Sequence, residues 1–214
     1  MTPSRKYFRI EANYKAEGMR HIALGVNIGN LSRGRRAREP TLARCQRINR
    51  GFAQNGVDLR VFGFFRHTGN LVLETATLEP AQAATILSEA DGATWMAVSE
   101  TTMRNAVAEI RKLPSPEREA RVRWTPGLVF AVTKPKDASI TSSAKVRLHS
   151  IDLSTVAAWK RDRINESGRL DSKMREGGWG AVSGALADQT NSQWTARSLT
   201  TLEGVLNRPT PVRE

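Results

Sequence analysis

Between Gly25 and Pro40 the chain reads GVNIGNLSRGRRAREP, with Arg33, Arg35, Arg36 and Arg38 close together and no acid among them. A guanidinium carries a permanent charge and a planar fork of five N–H donors, which matches the oxygens of phosphates and carboxylates. Such a cluster binds anions; it does not shuttle protons. The next segment, PTLARCQRINRGFAQNG, places Arg44, Arg47 and Arg50 at helical spacing. These seven arginines form the candidate nucleic-acid-binding set. Phosphate contacts of this kind position a strand without reading its bases.

Other chemistry is sparse. His21, His67 and His149 have no metal-ligand spacing, and Cys45 is the single cysteine, so no metal site or internal disulfide is expected. No cofactor is implied. GGWGAVSG, from Gly177 to Gly184, lacks both a preceding strand and a following Gly-Lys-Ser/Thr, so it fails as a nucleotide loop and reads as close helix packing. No Ser-His-Asp order or paired carboxylates stand out. Trp124, Trp159 and Trp194 each have a basic neighbour in RVRW, AWKR and WTAR. Interleaved aromatic and basic residues hold single-stranded nucleic acid, whereas most tryptophans are core or rim residues.

The whole chain is consistent with that reading. Its 214 residues are 39% hydrophobic and 25% charged, which supports a real core and excludes wholesale disorder. Lys and Arg total 33 against 21 Asp and Glu, a formal charge of +12. A basic excess favours anionic partners; arginine-rich codon usage alone would leave a merely solvated basic surface. With no apolar run long enough to span a bilayer and no apolar leader core, no membrane partner and a cytoplasmic location are expected. Residues 1–18 read as a flexible basic extension, and Met19 is an alternative start.

The elements that must position these residues follow from periodicity. HIALGVNI is a buried strand; PTLARCQRINRGFAQNG is a helix with Leu42, Cys45, Ile48 and Phe52 inward and Thr41 as cap. Residues 59–65 and 70–74 are strands joined by a turn at Thr68-Gly69. EPAQAATILSEAD starts a helix at Pro80 with Ala84, Ile86 and Leu87 inward, and ATWMAVSE is a strand. A helix capped by Thr101 or Thr102 follows, then a charged connector over SPEREARVRW. The second half offers strands at GLVFAVTK, KVRLHSIDL and VAAWKRDR, and mostly helix beyond Arg169. In the final helix, Leu199, Leu202, Val205 and Leu206 face inward. Thr195 or Ser198 caps it, and Arg197 lies in its first turn, where its partner is either a carboxylate, Asp188 or Asp171, or a bound anion shared with Lys173 and the helix N–H groups.

Four stretches in order resemble a bacterial family catalogued as domain of unknown function 1697. IALGVNIGN matches its first strand at Gly25, Asn27 and Gly29, and HTGNLV keeps Gly69 and Asn70. GRLDSK keeps Gly168, Arg169, Ser172 and Lys173, and TARSLTT keeps Thr195, Arg197 and Thr201. Leu24, His67 and Ser198-Leu199 depart from the family pattern. The resemblance spans about Met19 to Asn207 and implies two similar α+β subdomains but no activity. It also nominates a candidate anion site from Asn27, His67, Asn70, Arg169, Lys173 and Arg197.

The expected fold is α+β: two βαββαβ (ferredoxin-like) subdomains, residues 19–113 and 124–207, each an antiparallel sheet with helices on one face, then a tail over 208–214. The halves read as a loose repeat without shared residues. The expected function is RNA or DNA binding. Two alternatives stay open: an enzyme acting on an anionic small molecule or phosphodiester, and an interaction subunit that binds an acidic protein.

Overall fold

The computed structural model describes residues 18–26, 41–65, 69–135, 140–170 and 178–213. The expectations for the N-terminal extension to residue 17 therefore lie outside the described residues, as do those for Asn27, the Arg33–Arg38 run, His67, Asp171 and Lys173.

The chain is α+β, with two antiparallel sheets and five helices among the described residues. In the first half, β1 (Met19–Gly25), α1 (Thr41–Gln54), β2 (Arg60–Phe64), β3 (Asn70–Thr75), α2 (Pro80–Asp91) and β4 (Trp95–Ser99) follow in that order, and α3 (Glu100–Lys112) closes the half. The second half runs β5 (Val122–Ala131), β6 (Val146–Ser150), β7 (Thr155–Arg163), α4 (Trp179–Thr190), β8 (Trp194–Ser198) and α5 (Leu199–Asn207), and β9 (Thr210–Pro211) ends it. The sheets are ordered β4-β1-β3-β2-β9 and β6-β7-β5-β8. Read from β4 and from β8, the two share one order: last strand, first, third, second.

Both sheets have helices packed on both faces, the second over only part of its inner face, which corrects the expectation of helices on one face. In β1, Ile22 and Leu24 join a central core with α3, α5 and the inner face of the second sheet. Ala23, between them, packs with Cys45, Ile48 and Phe52 of α1 and Leu87 of α2. Successive strand residues point to opposite faces, so a strand buried continuously from His21 to Gly25 needs a layer on each side. The second sheet shares the central core through Leu128, Phe130 and Ala157, and packs Val129, Val156 and Ala158 against α4. The α3–α5 pair thus lies between the sheets.

Further corrections are local. Among the described residues no helix joins β5 to β6, so the second half is not a full βαββαβ unit. Leu42 is 42% exposed. Ser99, not Thr101 or Thr102, caps α3 by accepting from the Thr102 N–H, and β5 begins at Val122, inside the expected connector. WTARS is a strand, because its edge is claimed by β5 in register from Gly127↔Ser198 to Ala131↔Trp194. The expected tail is paired in part: β9 adds to β2 at Gly63↔Pro211 and Phe64↔Thr210.

Candidate functional site

The α1 arginines divide. Arg44 clasps Asp91 with Nε donating to Oδ1 at 2.6 Å and Nη2 to Oδ2, and Arg47 Nη2 stands 3.7 Å from Oδ1. The Asp91 carboxylate is only 1% exposed and also accepts from Trp95 Nε1 at 2.8 Å. Burial alone would raise its pKa. The hydrogen bonds from Arg44 and Trp95, with the charges of Arg44 and Arg47, outweigh burial and hold it below the ordinary aspartate value. Arg44 therefore ties α1 to α2, whereas Arg47, 45% exposed, and Arg50 are the exposed members on this helix.

Of the residues nominated by the family resemblance, the structure joins two. Arg197 Nε donates to Asn70 Oδ1 at 2.7 Å, across the boundary between the halves. Its Nη1 donates to Thr195 Oγ1 at 3.0 Å and to the Ala196 carbonyl at 2.8 Å; its Nη2 donates to the Gly25 carbonyl at 2.7 Å. Arg197 is thus in β8 rather than in the first turn of α5, and the side chain of Ser198 caps that helix by accepting from the Thr201 N–H. Asp188 is not its partner: among the described residues every acceptor it uses is neutral. Burial lowers its pKa to about 10. Arg169 lies elsewhere. The neighbouring Gly168 carbonyl accepts from Arg123, five positions along β5 from Leu128, the residue opposite Arg197, or roughly 17 Å at strand rise.

The tryptophans also divide. Trp194 is a core residue whose Nε1 donates to Thr190 Oγ1 at 2.7 Å. Trp124 and Trp159 stand on β5 and β7, the two central strands of the second sheet. Their registers put Trp124 opposite Arg161, and Trp159 between Pro126 and Arg147. Residues directly opposite share a face, so aromatic and cationic side chains alternate on it. The Arg147 guanidinium carbon is 5.9 Å from the Trp124 ring centroid. This end of the face opens into a cleft of about 590 Å³, walled by the connector from Leu113 to Glu119 and by Ser142 and His149. Trp159, 6% exposed, is its floor, and Trp124 a half-buried wall whose indole N–H is buried without a partner. Arg161 is paired with Glu119 at 2.7 Å.

A larger cleft of about 990 Å³ lies beside β1 and the first turn of α3. Its cations are already neutralised, Arg20 by Glu74 at 3.0 Å and Arg104 by Glu100 at 2.6 Å. Among the described residues no group of three His, Cys, Asp or Glu is placed to hold a metal, and no helix is long and apolar enough to cross a membrane.

Sequence reasoning missed the strand β8 and a repeat that the fold exposes. At a constant offset of 99 residues, Leu87, Trp95, Ala97, Ser99, Thr101 and Thr102 recur as Leu186, Trp194, Ala196, Ser198, Thr200 and Thr201. The shared W-x-A-x-S-x-T-T was the available signal; only one copy was read as strand then helix. No family model, curated protein or solved structure matches the chain.

Proposed function

We propose that this protein binds single-stranded RNA or DNA, with the strand laid across the uncovered end of the second sheet's inner face. The carrying observation is the alternation of Trp124, Arg161, Trp159 and Arg147 on neighbouring strands beside an open cleft. Each half is read as a ferredoxin-like unit, the second without its first helix. In RNA-binding sheets of this order, aromatics on the two central strands stack bases. Trp124 and Trp159 occupy those two strands. The net charge of +12 supplies long-range attraction, and Arg33, Arg35, Arg36 and Arg38 add phosphate contacts.

The test is binding of labelled single-stranded and duplex oligonucleotides over a salt series. Single strands should bind more tightly, and affinity should fall steeply as salt rises. Trp124→Ala with Arg147→Ala should weaken single-strand binding by about tenfold, the size of one lost base stack. Replacing the four loop arginines with Ala should weaken binding for all sequences alike. Unchanged affinity in the double variant removes the cleft from the interface. Absence of any binding at low salt rejects the reading and favours the acidic-protein or small-anion alternatives.

A further inference from the structure

The geometry points to a second site, independent of the stacking cleft: a small oxyanion subsite on Arg197 where the two halves meet. Four bonds occupy four of the five guanidinium N–H groups, and each ends on a neutral oxygen, from Asn70, Thr195, Ala196 and Gly25. Among the described residues the donors are nearly all satisfied, but the charge is not. Neutral acceptors orient a buried guanidinium without supplying the opposite charge that normally accompanies a desolvated ion. One N–H, on Nη2, remains unused, and the side chain is half-buried rather than sealed.

The internal repeat argues that the fold does not require this charge. At the 99-residue offset, Arg197 corresponds to Val98, which packs on the same central core from β4. An apolar side chain therefore fills the equivalent place in the first half, and an apolar replacement of a buried charge is commonly neutral or stabilising. Arg197 instead has a pre-oriented guanidinium, fixed on Asn70, which is 1% exposed, and on the last carbonyl of β1. A rigid cation with a spare donor suits a phosphate, sulfate or carboxylate group, held by one charge-assisted hydrogen bond and the unpaired charge.

The experiment uses the full chain labelled with ¹⁵N. The Arg197 Nε–Hε resonance, protected by Asn70, is assigned by its loss in Arg197→Lys. Inorganic phosphate, sulfate and acetate are titrated separately at constant ionic strength maintained with chloride. A saturable shift of that resonance in at least one arm supports the subsite, and the arm that saturates identifies the oxyanion. A shift that is absent in all arms, or that chloride reproduces, overturns it. Arg197→Val restores the residue type of the first half. If it folds, the anion-dependent rise in melting temperature should vanish; a rise that persists overturns the site. If it does not fold, the wild-type titration decides alone.

Discussion

Trp95 and Trp194 open the fourth strand of each half, β4 and β8, and each donates its indole N–H to the residue four positions before it. In the first half that residue is Asp91; in the second it is Thr190. The difference follows from the neighbouring helix. In the first half α1 packs beside α2 on the same sheet face and brings Arg44 to the acceptor, so a carboxylate is paired there. Among the described residues the second half has no helix in the place of α1, and an aspartate there would lack that cation. A hydroxyl suffices: Thr190 accepts from Trp194 and donates to the Leu186 carbonyl at 2.7 Å. The same scaffold position takes a charge only where a neighbouring element supplies the opposite one.

The largest test of that contrast is Asp91→Ala against Thr190→Val, followed by denaturant unfolding. Asp91→Ala should cost about 3 kcal/mol, the lower end for breaking a buried pair because Arg44 retains some water. Thr190→Val should cost about 1 kcal/mol, the worth of an ordinary hydrogen bond. Equal costs would break the comparison.

Lowering the pH titrates the same asymmetry. Asp91 has a folded pKa below its unfolded value, so its contribution is complete above the unfolded pKa of about 4 and is lost as pH falls through the folded one. Asp58 behaves likewise. Burial would raise its pKa, but hydrogen bonds from Thr77, Thr75 and the Ala76 N–H outweigh it. Both groups lie in the first half. Hydrogen exchange along an acid series should show α2 losing protection before α4, and Asp91→Asn should shrink the gap.

Two glycines test the packing of the second half. A Cβ on Gly127 would strike the Trp179 ring of α4 and the Arg197 carbonyl, and one on Gly204 of α5 would strike the Phe65 ring from the first half. Gly127→Ala and Gly204→Ala should each cost about 1–3 kcal/mol by overpacking. The former should loosen α4, read by Trp179 fluorescence; the latter should loosen contact between the halves. The smallest effect expected is at the shared caps. Ser99 and Ser198 accept from Thr102 and Thr201 N–H at 3.0 and 3.3 Å. Each Ser→Ala should cost about 1 kcal/mol, and the near-equality of the two is the point of the measurement.

The amino-acid sequence by itself determined most elements, because their signals are local. Cys45, Ile48 and Phe52 recur at helical spacing, Pro80 starts α2, and the apolar run from Ile22 to Gly25 is a strand. It also placed Asn70 and Arg197 on one list, although only by a family resemblance. Tertiary structure decided what those signals leave open. WTARS is short and polar at alternate positions, and it became a strand because the edge of β5 was there to pair with. The tail became β9 because β2 was otherwise an open edge. Which arginines are already paired within the fold was likewise decided in three dimensions. Arg44 and Arg50 look alike in sequence, but only the fold brings Asp91, 47 residues away in the chain, to Arg44. Periodicity reports which face of an element is buried; what meets that face depends on contacts between residues far apart in the chain, and no local window contains them.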